Sequence, residues 1–326
     1  MKQNVVALPA DRYMFPAAAF LAAKLAGLNR RDDVEIAIIS DAEDDLEKAR
    51  RFGVPATLIQ GGLPIELDSQ PMKRLTVATY FRLFVPDCLD DTVRRIMNLD
   101  IDIYPENDSL FRLFDLDMGD FAVAAVQDVK LVHAGTEDYV ARELAKARVG
   151  ARDYLNSGVL LVDRDRFIDQ RIGHRTFKRV VKERLRTDLA LNRVLAGKWL
   201  RLSPAMNSPA ELSDLLRSIG CRPVLTHFVG STKPWQGPRF ASSHRARTEI
   251  ETYLADSPWR DFLSANYNFQ AAWDTLQAKK RGATYAKPPT VKAFGVPPET
   301  RSEDLKDYLR TTEFADVKQG ITTPGW

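Results

Sequence analysis

The sequence predicts an α/β protein, in which helices flank a mixed, Rossmann-like sheet and a helical appendage follows at the C-terminal end. Apolar runs at residues 4–8, 34–39 and 56–59 alternate with helical segments. Strand–helix–strand–helix–strand is how a doubly wound sheet begins. The run VEIAII is almost continuously apolar, as in a strand that is covered on both faces.

The first third of the chain is predicted to lead to a pair of carboxylates. Helical spacing predicts helices at 15–28, 41–51 and 73–84, with a loop at 61–71. Pro86 ends the third helix. The apolar residues at 96–99 then predict a strand that runs directly into Asp100 and Asp102.

The remaining elements are less regular. Strands are predicted at 121–126, 159–162, 199–202 and 224–228, and helices at 166–186 and 188–196. The polar residues at 130–150 are expected to form an irregular lid or acceptor loop. We predict a domain at 1–240, followed at 241–326 by a helical, basic and aromatic segment with a loosely packed tail.

Composition excludes several classes of protein. A formal net charge of +3 among 326 residues is too weak to indicate nucleic-acid binding. Two isolated cysteines support neither a disulfide framework nor a zinc ribbon. No apolar run approaches the ~18 residues of a membrane span, and no signal peptide is recognised. We expect a cytoplasmic protein, with the basic residues at 164–186 as a peripheral contact to the inner face of an anionic membrane.

Asp100 and Asp102 are the leading candidates for a metal site. They follow an apolar strand, and the carboxyl ends of strands in an open α/β sheet are where ligands bind. Two such carboxylates suit a hard cation, Mn²⁺ or alternatively Mg²⁺, which would hold phosphates. The alternative is a pair of solvated turn residues. The triplets at 115–117 and 163–165 lack a preceding strand with this character.

A second candidate segment reads THFVGSTKPW, from Thr226 to Trp235. His227 lies at the end of a predicted strand, Gly230 permits a tight turn around a phosphate, and Lys233 could neutralise that phosphate. A histidine in this position is also common as a structural residue. Joined to the two aspartates, it completes an oxygen-rich, roughly octahedral site that favours Mn²⁺ over Zn²⁺.

Other polar residues have both a functional and a structural interpretation. Asn156, in the run NSG before a strand, could contact a sugar hydroxyl or simply form a turn. Arg82 could clamp an anion or lie at the surface. Thr187 and Asp188 begin a predicted helix, where Thr187 suits the N-cap and Asp188 the positive helix end.

Taken together, these segments resemble the family 8 retaining glycosyltransferases, which have a GT-A fold. The family includes bacterial lipopolysaccharide galactosyl- and glucosyltransferases and, more distantly, glycogenin. The resemblance runs from residue 4 to about residue 235. It rests on the segments TYFRLFVPDCLDDTVRRIMNLDIDIYPENDSLFRLFDLDMGDFAVAAVQD, YLNSGVLLV and HFVGSTKPW, which occur in family order.

The resemblance implies specific roles. The implied metal ligands are Asp100, Asp102 and His227, and the implied catalytic residues are Asp188 and Asn156. The implied donor-binding residues are Ala7, Asp11, Arg12, Tyr13, Arg82, Asp100, Ile101, Asp128, Ser157, Thr187, Gly230 and Lys233. Tyr13 would stack on uracil. The chain departs from the family at Ala10, where an acidic residue is usual, and at Thr187-Asp188, where Asp-Gln is usual.

The implied activity is metal-dependent, retaining transfer of glucose or galactose from a UDP-sugar to a glycan or glycolipid, of the lipopolysaccharide type. The leading alternative is an inactive GT-A-like protein that binds nucleotide sugars, because of Ala10 and Thr187. A sugar nucleotidyltransferase would need an N-terminal glycine-rich loop, which VVALPADRYMF lacks. A metal phosphoesterase would need more histidine and aspartate ligands.

Overall fold

The fold is organised around a seven-stranded mixed sheet with a small three-stranded sheet beside it. The computed structural model describes residues 1–61, 78–134, 137–230, 233–236, 241–263 and 298–325. In chain order the strands are β1 (Asn4–Pro9), β2 (Val34–Ser40), β3 (Thr57–Gln60), β4 (Arg95–Leu99), β5 (Ile103–Pro105), β6 (Val123–Gln127), β7 (Leu155–Asp163), β8 (Leu200–Leu202), β9 (Ser208–Pro209) and β10 (Leu225–His227).

The order of the large sheet is β3-β2-β1-β4-β7-β6-β8. Strands β3, β2, β1 and β4 are parallel, whereas β7 is antiparallel to both of its neighbours. The small sheet has the order β5-β10-β9. The prediction of a mixed α/β sheet is therefore confirmed, and the sheet places the end of β4 next to the middle of β7.

Helices cover both faces of the large sheet. They are α1 (Phe15–Leu28), α2 (Glu43–Phe52), α3 (Ala78–Phe81), α4 (Val85–Cys88), α5 (Val129–Ala134), α6 (Glu137–Ala147), α7 (Arg164–Asp169), α8 (Ile172–Glu183), α9 (Thr187–Leu195), α10 (Ser213–Ser218) and α11 (Ala241–Ala255), followed by Pro298–Thr311 and Ala315–Lys318. Short 3₁₀ turns lie at Asp108–Asp115, Ala151–Asp153, Pro204–Asn207, Ala210–Leu212 and Pro234–Gln236.

The alternation of buried side chains along each strand produces two separate cores. Val6, Leu8 and Met97 face one core, and Val5, Ala7 and Ile96 face the other. Burial on both faces explains why these strands read as continuous apolar runs rather than as alternating ones.

Three predicted segments differ from the structure. Residues 130–150 are not an irregular loop, because α5 and α6 occupy most of them. The long helix predicted at 166–186 is two helices, α7 and α8, which are separated at Arg171, where φ is 51°. The described part of the helix predicted at 73–84 ends at Phe81, and a second short helix follows. The loop predicted at 61–71 and residues 73–77 lie almost wholly outside the described residues.

The triplet Asn156-Ser157-Gly158 also differs from its prediction, because it lies within β7 rather than in a turn before it. The pairing of β6 with β7 jumps from Ala125↔Leu160 to Val126↔Asn156. Three residues of β7 are therefore left without partners on β6 at this bulge. Bulges redirect side chains and are common beside functional sites.

The tail is packed rather than loose in its described part, 298–325. Leu305, Leu309 and Phe314 are at most 3% exposed and join the larger core. Asp316 is fully buried, and its carboxylate accepts bonds from the Ser203 amide (2.8 Å), the Ser203 hydroxyl (2.6 Å) and the Thr322 hydroxyl (2.6 Å). This carboxylate fastens the C-terminal residues to the end of β8.

Replacing Asp316 by alanine should lower the free energy of unfolding by about 3 kcal/mol or more, because a buried amide and two hydroxyls lose a charged acceptor. Urea denaturation followed by circular dichroism measures the change. Asp307→Ala, at an exposed position of the same segment, should stay within about 0.5 kcal/mol of the wild type. Equal stability of both variants would mean that the tail is not held by Asp316.

Candidate active site

The carboxyl end of β4 is where the two leading aspartates lie. The Asp100 amide donates to the Gly158 carbonyl of β7 at 2.8 Å, which fixes the turn that follows β4. The backbone of Asp102 is fixed by a hydrogen bond from the Phe228 amide to the Asp102 carbonyl, at 3.0 Å. Because β5 pairs with β10, His227 lies opposite Ile103 and therefore beside Asp102.

Asp100, Asp102 and His227 form one cluster, with one potential ligand atom from each residue all within 4.8 Å of one another. His227 Nε2 lies 3.2 Å from Asp102 Oδ1 and 3.9 Å from Asp100 Oδ2. Donor atoms bound to one octahedral ion at about 2.1 Å lie between about 3 Å (cis) and about 4.2 Å (trans) apart. The three side chains therefore fit a divalent cation of the oxygen-preferring kind.

Basic side chains balance the two carboxylates. Arg82 pairs with Asp100 at 2.5 Å, and Lys233 pairs with Asp102 and donates to the Phe228 carbonyl at 2.8 Å. Burial acts to raise the pKa of Asp102, but the neighbouring Lys233 and His227 side chains outweigh burial and lower that pKa. Asp102 is consequently an anion, which is the protonation state that a metal ligand needs.

Gly158 leaves the space that the His227 ring occupies. A Cβ atom at residue 158 would lie 2.2 Å from Cε1 and 2.7 Å from Nδ1 of that ring. Contacts this short do not occur in folded proteins, so any side chain at this position would displace the histidine from the two aspartates.

A series of side-chain amides continues from His227 across the site. His227 Nδ1 lies 2.8 Å from Asn207 Oδ1, Asn207 Nδ2 donates to Asn156 Oδ1 at 2.9 Å, and Asn156 Nδ2 donates to Asp128 Oδ2 at 3.1 Å. The Gly158 amide also donates to Asn156 Oδ1, at 2.9 Å. Burial, followed by the nearby charge of Asp188, raises the pKa of Asp128.

Asp188 lies at the start of α9 and is tied to a basic partner. Arg186 binds both of its oxygens, at 3.1 and 2.8 Å, and the Tyr154 hydroxyl donates to it at 3.2 Å. Burial acts to raise the pKa of Asp188, but the bonds and charge of Arg186 prevail and lower it. Arg186 also contacts the buried Glu143 of α6 at 2.8 Å.

Thr187 is not the N-cap of this helix, as the sequence suggested. The helix begins at Thr187 itself, the cap position is Arg186, and no side chain caps the helix. The Thr187 hydroxyl is buried and has no hydrogen-bond partner within the described residues.

Most of the predicted site residues line one cavity of about 800 Å³. Its wall contains Arg82, Asp100, Asp102, Asp128, Asn156, Ser157, Thr187, Asp188, His227, Gly230 and Lys233. Residues that the sequence analysis did not single out also line it, among them Tyr139 and Arg142 of α6, Tyr154 and Arg186. Asn207 supports the wall from behind. Tyr139 and Arg142 lie in the segment predicted as a loop. Tyr154, Arg186 and Asn207 belong to no local sequence pattern that would mark them as site residues.

The remaining predicted residues do not line this cavity. Ala7 is fully buried in the centre of the sheet, between Ala37 and Asn98. Asp11 follows β1 and is only 6% exposed. Its Oδ1 accepts from the amides of Tyr13 and Met14, both at 3.0 Å, whereas its buried Oδ2 has no hydrogen-bond partner among the described residues.

Tyr13 and Ile101 complete that set. The Tyr13 ring is 68% exposed, with the Arg12 guanidinium 5.9 Å from its centre, and Ile101 packs against the larger core. Because β1 and β4 are adjacent parallel strands, residues 11–13 lie on the same edge of the sheet as Asp100.

The two other aspartate triplets have structural partners. Asp163 caps α7 by accepting from the Arg166 amide at 3.1 Å, and Asp115 pairs with Arg31 at 2.6 Å. The prediction that only the first triplet follows a buried strand is wrong, because Asp163 is the last residue of β7. What distinguishes the first triplet is that Asp100 and Asp102 line the cavity.

The chain is similar to several characterised proteins. General stress protein A of Bacillus subtilis is 24% identical over 282 residues, which cover 78% of this chain and 94% of that protein. Lipopolysaccharide 1,2-glucosyltransferase of Escherichia coli is 27% identical over 197 residues, so this chain spans only 56% of that protein's length.

Solved structures share the fold. The galactosyltransferase LgtC, solved with donor and acceptor sugar analogues, superimposes with a TM-score of 0.62 at 18% identity, covering 76% of this chain and 95% of LgtC. An active-site mutant of LgtC gives 0.63 at 19% identity, over 79% of this chain and 98% of the mutant. The GT-A fold expected from the sequence is thereby confirmed.

Two further observations complete the comparison. None of the helices in the described part of the chain is long and apolar enough to cross a membrane. The family model for glycosyl transferase family 8 matches residues 24–237, which is more than half of the sequence and includes the aspartate pair, His227 and Lys233. The chain belongs to glycosyl transferase family 8.

Proposed function

We propose that this protein is a metal-dependent, retaining glycosyltransferase that moves a hexose, glucose or galactose, from a UDP-sugar to a glycan or glycolipid acceptor. The observation that carries the proposal is the convergence of Asp100, Asp102 and His227 at one end of a large cavity. The glucosyl- and galactosyltransferase activities in the names of its relatives support the choice of hexose. We assign this chemistry to residues 1–240, with 241–326 as an appendage.

The metal end of the cavity is suited to a nucleotide diphosphate. Asp100, Asp102 and His227 would hold Mn²⁺, which supplies Lewis-acid stabilisation of a departing diphosphate. Lys233 adds a fixed positive charge on the same side, and the left-handed backbone at Gly230 (φ 84°) opens the turn beside it. Lys233 already pairs with Asp102. Diphosphate binding would therefore replace one anionic partner of Lys233 by another.

The base end of the nucleotide is assigned to residues that follow β1. Tyr13 offers an exposed ring for stacking on uracil. Asp11 Oδ2, which has no hydrogen-bond partner in the described part of the chain, can supply the acceptor that Ala10 lacks. These two features support UDP despite the departure from the family pattern.

The sugar would lie between the metal end and α9. Asp128 and Asn156 are joined by a hydrogen bond and face the cavity together, so they can bind adjacent hydroxyls. Arg82 reaches the same region, because it donates to the Ser157 carbonyl and hydroxyl at 3.1 Å.

Asp188 differs from the usual family amide by its charge. Its negative charge favours positive charge at the anomeric carbon, but Arg186 neutralises much of it and occupies both oxygens. We therefore assign Asp188 to electrostatic support of a front-face transfer rather than to nucleophilic attack. In such a transfer the departing phosphate receives the acceptor's proton.

An inactive nucleotide-sugar-binding protein is the alternative function, and Ala10 and Thr187 are the residues that favour it.

A peripheral membrane contact is a separate proposal. Along α8 the basic residues Arg175, Lys178 and Lys182 are exposed at spacings that place them on one helix face, and Arg171 is exposed just before the helix. Sedimentation with liposomes that contain or lack anionic lipid tests this contact.

Nucleotide release tests the function. With Mn²⁺, we expect more release from UDP-glucose or UDP-galactose than from UDP-GlcNAc or GDP-mannose, and no release in EDTA. Asp102→Asn should reduce the rate by at least about 10², because the metal loses a charged ligand. Asp117→Asn, in a triplet outside the cavity, should behave as wild type.

Release from no donor, with UDP still bound, would support the inactive binding protein. Undiminished release in EDTA would contradict the metal-dependent mechanism.

Asp188→Asn should leave UDP affinity unchanged and lower kcat by about 10², the scale of removing one preorganised charged group. The single asparagine oxygen can still accept from Arg186 Nη2 and the Tyr154 hydroxyl, which are the partners of Oδ2, so the fold should be preserved. Asp163→Asn is the matched control, because Asp163 also lies at a helix start and pairs with an arginine, at 2.7 Å, but lies outside the cavity. A kcat for Asp188→Asn within a few-fold of wild type would show that Asp188 has only a structural role.

A further inference from the structure

Asn207 lies behind the metal site and belongs to none of the roles assigned so far. It is 3% exposed, and His227, which it contacts, is 4% exposed. We propose that Asn207 is a positioning residue that holds the hydrogen of His227 on Nδ1 and thereby presents the Nε2 lone pair to the cation. This inference rests on the metal site of the proposed function.

The orientation of each amide follows from one backbone group. The Gly158 N–H can only donate, and it points at Asn156 at 2.9 Å. The atom it meets must therefore be the Asn156 oxygen, which leaves the Asn156 nitrogen to donate to Asp128 Oδ2.

The same reasoning fixes Asn207. Its neighbour at 2.9 Å is the Asn156 oxygen, so the atom it offers there must be its NH₂ group. Its own oxygen then faces His227 Nδ1 at 2.8 Å and requires a hydrogen on that nitrogen. The opposite orientation would place two acceptors face to face in a buried site. Nε2 is left on the side of Asp100 and Asp102.

Asn207 also connects two parts of the site. Asn156 Oδ1 already accepts two bonds and its NH₂ group donates one to Asp128, so one Asn156 N–H remains for a substrate hydroxyl. Loss of the Asn207 donor would therefore loosen Asn156 as well as His227. Residues in such supporting positions typically affect metal affinity by 10–100-fold.

The test uses Mn²⁺ alone, followed by electron paramagnetic resonance, on the full-length chain. Asn207→Ala should weaken Mn²⁺ binding about 10–100-fold. Asn207→Asp should retain binding within a few-fold, because a carboxylate still accepts the Nδ1 hydrogen, but should raise the KM for donor, because it no longer donates to Asn156. Asn192→Ala is the matched control.

Asn192 is a buried asparagine of α9. Its side chain bonds the amide and carbonyl of Leu155 in β7, at 2.8 and 3.0 Å, and does not line the cavity. Its removal should lower Tm and leave Mn²⁺ affinity unchanged. Mn²⁺ binding by folded Asn207→Ala within threefold of wild type would overturn the proposal, as would equal losses in the alanine and aspartate variants.

Long-range ¹H–¹⁵N correlation spectra of the metal-free protein provide a second readout, with His227 assigned from a His227→Gln variant. A hydrogen on Nδ1 is expected in wild type and in Asn207→Asp, and its absence in wild type would overturn the proposal. This readout does not need Mn²⁺ or a nucleotide sugar. It therefore stands even if the proposed transferase activity fails.

A separate observation concerns the α6 residues that line the cavity. The other basic residues of the cavity wall have carboxylate partners: Arg82 with Asp100, Lys130 with Glu211, Arg186 with Asp188, and Lys233 with Asp102. Within the described residues, Arg142 is the cavity-lining cation with no such partner. Its guanidinium lies 5.5 Å from the ring centre of Tyr139, which is 39% exposed.

We infer that Tyr139 and Arg142 form an acceptor subsite for a sugar that carries an anionic group, either phosphate or carboxylate. An exposed aromatic ring can stack on the apolar face of a sugar, and a guanidinium matches both anions with paired N–H donors. The inference rests on the proposed function for the role of acceptor, but not for binding itself.

Calorimetry with glucose, glucose 6-phosphate and glucuronate tests the subsite, with UDP and Mn²⁺ present to occupy the metal end. At least one of the two anionic sugars should bind tenfold or more tightly than glucose. Comparison of their affinities shows whether phosphate or carboxylate is preferred. Arg142→Gln should abolish the preference, whereas Arg175→Gln, on α8 outside the cavity, should retain it. No preference in wild type, or a preference that survives Arg142→Gln, would overturn the inference. Nucleotide release, measured separately, reports on the transferase function.

Discussion

The geometry of the site depends on a close approach between the His227 ring and the backbone of β7 at Gly158. The ring fills the space that any side chain at this position would need. The carbonyl of the same residue accepts the Asp100 amide, and its N–H orients Asn156. One glycine therefore sets the position of a carboxylate, an imidazole and an amide that lie far apart in the sequence. The bulge in β7 makes this possible, because it frees the residues around Gly158 from pairing with β6.

Charge in the cavity is almost entirely paired before any substrate arrives. Asp100, Asp102 and Asp188 each have a basic partner, so the protein carries these carboxylates at modest cost in a partly buried site. The same pairing means that the proposed cation and diphosphate would rearrange existing contacts. Asp188 differs in that its partner Arg186 is itself held by the buried Glu143. Arg186 thus pairs with one carboxylate from α9 and one from α6.

The strands and the aspartate pair at the end of β4 could be predicted because their signals are local. A strand buried on both faces is continuously apolar, and Asp100 and Asp102 directly follow one. Helix α6 was missed because its buried residues are few: Glu143 is buried through ion pairs, and only Ala147 among its apolar side chains is fully covered. Asn207 and Gly158 give no local signal at all, since their importance arises from residues 20 and 69 positions away in the chain.

The docking of Asp316 on Ser203 has a consequence for how the protein is made. Ser203 immediately precedes the 3₁₀ turn Pro204–Asn207, and the two docked residues are 113 positions apart. While the chain is still on the ribosome, that turn lacks its brace until residue 316 has emerged from the exit tunnel. The early strands can assemble first, but the turn that carries Asn207 gains its contact with Asp316 only after residue 316 has been translated.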